Sequence, residues 1–257
     1  FNLHFYSYIM EGKPCAIIET DGHSGDAGTK TRIEAFLYCV DVDHRHGPAS
    51  QKRIKRNFRG IEVNKHSLGD IKRRDELLLV PRMGPGAEVA VAGLQAEGLR
   101  VECLDMPDRE AIRIGRKHTS GKECIPMMVT LGSVLKRVME GDEDERYAFF
   151  MPTANGPCRF GVYNLLHKIV FEKLDLKDRI QIVSQPDHDY FAGVSKSYAI
   201  KAWAAFMAAD LLVDMLYDTR PVERVSGEAN RLYQQYRLEL MEMLRREPAP
   251  PIGLALA

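Results

Sequence analysis

The sequence predicts an α/β fold, in which an open and mainly parallel sheet carries helices on both faces. Four short apolar runs, "ELLLVP", "LRVECL", "YAFFMP" and "RIQIVS", alternate with longer segments of helical periodicity. Such long segments between strands make crossovers, which join parallel neighbours and place helices over the sheet. With 257 residues, of which 45% are hydrophobic, the chain can bury a full core. After Tyr198 the pattern turns helical and predicts a C-terminal helical extension.

The N-terminal region, residues 1–43, is predicted to form a strand, a loop and a helix. The strand is expected to be buried and to span 13–20, and the loop "DGHSGDAG" follows it. The helix is expected to begin at the capping box Thr31–Glu34. Because the chain begins with Phe1 and not with Met, we expect this region to end a preceding domain of a longer protein.

The segment 44–74 differs in charge from the rest of the chain. It holds ten Lys or Arg residues against Glu62 and Asp70, with few apolar positions. So many like charges predict a basic linker at the surface. Contact with nucleic acid is the alternative, but Phe58 is the single aromatic residue there, so we do not expect the chain to bind nucleic acid.

The α/β domain, residues 75–195, is expected to be flavodoxin-like. Its strands are predicted near 77–80, 100–104, 147–151 and 180–184. Its helices are predicted over 86–97, over "DREAIRIG", after Cys124, and from Cys158 to about Leu174. Two more helices are predicted in 196–247, and the proline-rich end, 248–257, is expected to be frayed.

Composition narrows the class of function. Lys and Arg together number 36, as do Asp and Glu, so net charge points to no polyanionic or membrane partner. No apolar run approaches the roughly 20 residues that span a bilayer. Five cysteines, an odd number in a chain of this size, indicate a reducing compartment, and we expect a cytoplasmic protein.

Two cysteines occur in the same local setting. Cys124 in "GKECIP" and Cys158 in "GPCRFG" both precede a helical pattern, and Cys158 follows the strand "YAFFMP". In a parallel sheet, ligands bind where the carboxyl ends of strands lead into helix N-termini. The N-terminus of a helix favours anionic groups, including thiolates. Two thiolates suit an iron–sulfur cluster or a soft metal, although a closed site needs about four ligands.

Other interpretations of the cysteines stay open. Simple packing is one, because an isolated cysteine is usually a small buried apolar residue. We expect that role for Cys15, Cys39 and Cys103, which lie within strand or helix patterns. A nucleophilic thiol is another, with His118 as its possible base.

The loop "DGHSGDAG" also offers two interpretations. His23 and Asp26 could bind a metal or a phosphate. A role in capping and turn formation is favoured for a loop of Gly, Asp and Ser.

Four segments resemble a known family. They are similar to the closing part of the large activase-related proteins of the 2-hydroxyacyl-CoA dehydratase family, and they occur in the same order. The resemblance covers roughly residues 10–235. The segments are "ETDGHSGDAGTKTRIEAFL", "GRKHTSGKECIPMMVTLGSVLK", "FFMPTANGPCRFGVYN" and "AIKAWAAFMAADLLVDML".

The resemblance implies a redox role. In that family an actin-like ATPase domain carries a four-iron four-sulfur (4Fe-4S) cluster and drives single electrons to very low potential. The part resembled here is similar to the cluster-holding, dehydratase-type subunit. The resemblance implies that Cys124 and Cys158 are cluster ligands. It also matches the family's "HSADAG"-like loop, of unassigned role, to His23, Ser24, Asp26 and Gly28.

The chain also departs from the family pattern. Gly25 and Gly22 replace an alanine and an acidic residue of that loop. A Gly-rich phosphate motif, an ATPase core and an upstream cysteine–proline motif are absent from the 257 residues. We therefore expect ATP to be hydrolysed by a domain outside this chain. The remaining cluster ligands would come from a missing N-terminal region, a partner subunit or a symmetry mate.

Three functions from different classes are therefore considered. The first and favoured one is a cluster-bearing component of an ATP-dependent activase or reductase that works with an acyl-CoA dehydratase. The second is a cysteine-nucleophile hydrolase or transferase acting on an acyl thioester. The third is a non-catalytic scaffold that docks partners.

Overall fold

A computed structural model of the chain shows two compact units, Phe1–Glu62 and Val63–Ala257. Within the described residues, none of the helices combines the length and the apolar character needed to cross a membrane. The structure describes residues 10, 14–16, 18, 26–46, 67–121, 123–153, 158–184 and 196–246.

The described residues of the first unit include one long helix, α1 (Asp26–His46). The predicted start at Thr31 was wrong: the helix begins at Asp26, so Asp26 and Gly28 lie in its first turn and not in a loop. Cys39 is exposed on α1, which corrects its expected place in a core. The described residues of this unit form little more than α1, and a single helix cannot bury its own side chains.

The strand predicted over 13–20 lies partly outside the described residues. Residues 14–16 and 18, which are described, are not in a strand. Cys15 is exposed, so its expected burial was also wrong.

The second unit starts with α2 (Leu68–Arg74), where the sequence predicted the end of a surface linker. This part of the prediction was wrong, because a capping box of Ser67 and Asp70 starts a helix here. In it, the Ser67 amide donates a hydrogen bond to the Asp70 carboxylate over 2.9 Å. Leu68 and Ile71 lie three residues apart, so they share one face of α2 and are buried. The linker residues 47–66 lie outside the described residues.

Within the part of the chain that the structure describes, the sheet has four parallel strands, as predicted. They lie in the order β2-β1-β3-β4, and Leu78 in β1 pairs with Val101 in β2 and Ala148 in β3. The strands are β1 (Leu77–Val80), β2 (Val101–Cys103), β3 (Tyr147–Phe150) and β4 (Ile180–Val183). This is a flavodoxin-like arrangement with a helical extension.

Helices cover both faces of the sheet. On one face α3 packs with Leu78, Val80 and Ala148 in a shared core. On the other, Phe149 meets His167 of α6 edge to face, with ring centroids 5.4 Å apart. The crossover helices are α3 (Pro85–Ala96), α4 (Arg109–Lys117), α5 (Ile125–Glu140) and α6 (Tyr163–Lys173).

Two glycines let α4 and α5 approach closely. A Cβ added to Gly132 of α5 would lie 1.8 Å from the carbonyl oxygen of Ala111 in α4. A Cβ on Gly115 of α4 would lie 2.0 Å from the Met128 carbonyl oxygen of α5. Neither helix could hold its position with a larger residue at these sites.

The C-terminal extension is a pair of helices, α7 (Lys196–Thr219) and α8 (Glu228–Arg246), as predicted. Both pack on α3: Tyr198 of α7 lies against Gly93, and Arg237 of α8 pairs with Glu88. The tail predicted to fray, 248–257, lies outside the described residues.

Candidate functional site

The strand order places a topological switch point between β1 and β3. From β1 the chain crosses to β2 on one side, and it then returns to β3 on the other side. In folds of this kind, crossovers in opposite directions leave a crevice at the carboxyl ends of the two strands between them, and ligands bind there. Residues that follow β3, and residues that begin the neighbouring helices, line this edge.

Cys124 is the N-cap of α5. Its carbonyl oxygen accepts a hydrogen bond from the Met127 amide over 3.0 Å, and Pro126 occupies the first turn, as the sequence predicts. The preceding turn is held by Ser120, whose hydroxyl donates to the Glu123 carboxylate over 2.8 Å. Since α5 leads into the start of β3, its own start lies at the carboxyl edge of the sheet. Cys124 is half-buried there.

Cys158 also begins a helical segment. It is the N-cap of a 3-10 turn, Arg159–Val162, which continues directly into α6. The thiol is exposed and follows β3 at the same edge of the sheet as Cys124. Each of the two cysteines therefore precedes a helical segment, as the sequence predicts, although Cys158 caps a 3-10 turn and not an α-helix.

Tyr163, the first residue of α6, lies near both thiols. Burial raises the pKa of its hydroxyl to about 12, and the hydrogen bond with Cys124 and the electrostatic influence of Cys124 and Cys158 act in the same direction. Arg159 opposes this rise. The phenol therefore stays protonated at neutral pH and can donate a hydrogen bond towards sulfur.

His167 lies one helical turn below Tyr163 and is fully buried. Burial lowers its pKa to about 3, so the imidazole is neutral at physiological pH. Its Nε2 lies 3.3 Å from the hydroxyl of Thr130 in α5, which joins the two helices that begin at the thiols. The rings of Phe149 and Phe171 enclose it.

A second polar contact fixes the start of α6. Asn164 donates from Nδ2 to the Ser184 hydroxyl over 3.1 Å. Ser184 follows β4 and donates to the Met151 carbonyl oxygen, which follows β3, over 2.7 Å. The loops after these two strands are thus tied to the helix that carries Tyr163.

Neither Tyr163 nor His167 was predicted as a site residue. A signal was present, because Tyr163 comes shortly after Cys158 and His167 follows at a spacing of four, on the same face of a helix. The pattern also fits an ordinary buried aromatic face, so the sequence alone could not select it.

Of the other predicted residues, His118 and Cys103 are described in the second unit. His118 is half-buried at the end of α4, and within the described residues it forms no hydrogen bond with either thiol. Cys103 ends β2 and packs against the core, where burial raises its pKa. His23 and Ser24 lie outside the described residues.

The described residues include no complete metal-binding group. Among those that the structure describes, no group of three or more His, Cys, Asp or Glu side chains is arranged to hold a metal ion. Cys124 and Cys158 are soft ligands that could serve as two of the about four needed by a cluster.

Comparisons with models of protein families, with curated proteins and with solved structures gave no match to this chain. The resemblance to the dehydratase family therefore stays a prediction.

Proposed function

We propose that this chain supplies Cys124 and Cys158 as two thiolate ligands of an iron–sulfur cluster, of the 4Fe-4S kind, in a low-potential electron-transfer system. The system would activate 2-hydroxyacyl-CoA dehydratases or resemble them. One observation supports this most directly: the two cysteines cap helical segments at one edge of the sheet, and both lie near the Tyr163 hydroxyl, which forms a hydrogen bond with Cys124.

The surrounding groups suit an anionic centre. At Cys124 the helix N-terminus offers about half a positive charge, and Arg159 adds a full charge beside Cys158. The Tyr163 hydroxyl can donate a hydrogen bond to a ligating sulfur, and hydrogen bonds to sulfur tune the potential of such centres. The cluster, when bound, would supply transfer of single electrons.

The remaining ligands must come from elsewhere. An N-terminal ATPase and cluster-completing region outside this chain is one source, and a partner subunit is the other. The exposed position of Cys158 leaves room for a second set of ligands to approach. An acyl-CoA dehydratase is the expected acceptor of the electrons.

Anaerobic purification, with iron and sulfide counted and optical and EPR spectra recorded, tests this proposal. The measurement is made on the full-length protein or on the complex that supplies the remaining ligands, where Cys124→Ser and Cys158→Ser should each lower the bound iron. Cys103→Ser is the matched control, because that thiol lies at the end of β2 against the core, and it should keep the iron content unchanged. Iron binding that survives the double Cys124→Ser, Cys158→Ser change would refute the proposal.

A further inference from the structure

Helix α7 is apolar on two opposite faces. One face, which includes Ala205 and Ala209, is buried against α3 and α8. The other carries large apolar side chains, 52–70% exposed, that recur every three or four residues. We call this face the α7 stripe, and it consists of Ile200, Trp203, Met207, Leu211 and Met215. Apolar residues on two opposite faces of a helix are typical of a helix that is covered on both faces.

The α7 stripe is large for an uncovered surface. Five side chains of this size, each more than half exposed, present roughly 500 Å² of apolar surface, at the upper end of what a monomer leaves in one patch. With its flanking residues, such as Phe206, the stripe approaches the roughly 800 Å² that each partner contributes to a stable interface.

We propose that a second copy of this chain covers the α7 stripe, with the two α7 helices antiparallel and Met207 near the two-fold axis. Trp203 and Leu211 are placed symmetrically about that residue, four positions on either side of it. Ile200 lies seven positions before Met207, and Asp214 and Met215 lie seven and eight positions after it. In an isologous pair, Trp203 of one copy therefore meets Leu211 of the other, and Ile200 lies beside Asp214 and Met215.

The charges of α7 favour the same antiparallel arrangement. Its second half carries exposed carboxylates at Asp210, Asp214 and Asp218, and its last turn has no basic residue. Carboxylates are disfavoured near the negative C-terminal end of their own helix. In an antiparallel pair, Asp214 and Asp218 also lie beside the positive N-terminal end of the other α7, and this positive end stabilises their negative charges.

The packing of α7 leaves room for a partner. Phe206 already lies against Gly86, in the first turn of α3, so the second half of α7 extends past the start of α3. The first half of α8 also extends past it, because Arg237 pairs with Glu88 in that turn. Two such helical pairs can associate as a four-helix bundle.

Mass measurement by light scattering or sedimentation, over a wide range of concentration, tests the proposal. The unmodified chain should be a dimer that dissociates on dilution. Trp203, the single tryptophan, should emit at longer wavelength as the dimer dissociates, because its exposed ring is then in water. A chain that stays monomeric at every concentration, with constant Trp203 emission, would overturn it.

Charged substitutions at Met207, near the proposed axis, test whether the α7 stripe is the surface that forms the dimer. Met207→Glu and Met207→Lys should each give monomers, because each places two like charges together. An equimolar mixture of the two variants should form dimers again. Met139→Glu is the matched control: Met139 is also a methionine, also 68% exposed, and lies on α5, so the dimer should persist.

Two results would contradict the arrangement. If Met207→Glu leaves the dimer intact, a different surface holds the two copies together. If the mixed variants stay monomeric, the two Met207 side chains do not meet and the antiparallel pairing is wrong. Circular dichroism should show unchanged helix content in both variants, since Met207 is exposed in the single chain.

Discussion

Replacement of His167 by Phe should make the stability of the second unit less dependent on pH. The imidazole is 0% exposed and lies among Phe149, Tyr163 and Phe171. Phenylalanine has a similar shape and suits these aromatic neighbours, but it cannot take up a proton. A loss of stability at neutral pH is expected from the missing contact with Thr130, so the informative quantity is the change with pH.

The sign follows from the two pKa values. The pKa of His167 is about 3 in the folded protein, and about 6.5 is usual for an unfolded chain. Because folding lowers the pKa, the stability is fully present above about pH 6.5 and is lost as the pH falls towards 3. Between neutral pH and pH 5 the loss from this one group is about 2 kcal/mol.

Urea denaturation followed by circular dichroism at neutral pH and at about pH 5 measures the difference. The unmodified chain should lose about 2 kcal/mol more between these conditions than His167→Phe does, since all other titrating groups are shared. His44→Phe, at an exposed site on α1, should keep the full pH dependence. Equal pH dependence in the unmodified chain and in His167→Phe would refute the reasoning.

Two more predictions concern packing. Gly132→Ala should destabilise the second unit by about 3 kcal/mol, because the added Cβ would overlap the Ala111 carbonyl oxygen. Gly28→Ala is the control: a Cβ added there would have no atom within 4 Å, so the stability should change by about 1 kcal/mol or less. Thermal unfolding measures both, and similar midpoints would show that α4 and α5 do not pack at this glycine. Ile71→Ala should cost about 2–4 kcal/mol, because the side chain is 1% exposed, while Ile125→Ala, at 70% exposed, should cost far less. Equal costs in urea denaturation would mean that α2 does not pack on the core.

Local patterns in the sequence determined the fold class and most of its elements. The four apolar runs became four parallel strands within a residue or two of their predicted bounds, because buried strands need continuous apolar runs. Cys124 and Cys158 were placed at helix starts for an equally local reason: Gly and Pro around each thiol stop one element and allow the next to begin.

Tertiary structure decided what those elements contact. The segment 68–74 looks like a charged linker, and it became a packed helix because Leu68 and Ile71 found a core to join. Cys39 has an apolar setting in sequence but is exposed, since burial depends on what lies opposite.

The candidate site depended on tertiary structure most of all. Strand order is set by crossovers between distant segments, and only that order put the switch point beside β3. Tyr163 could join the two thiols only after α5 and α6 were placed on the same face of the sheet. The sequence determined which residues begin the helices, because capping acts over a few neighbouring positions. The fold decided that Cys124 and Cys158 share one environment, because folding brings together positions that are far apart in the chain.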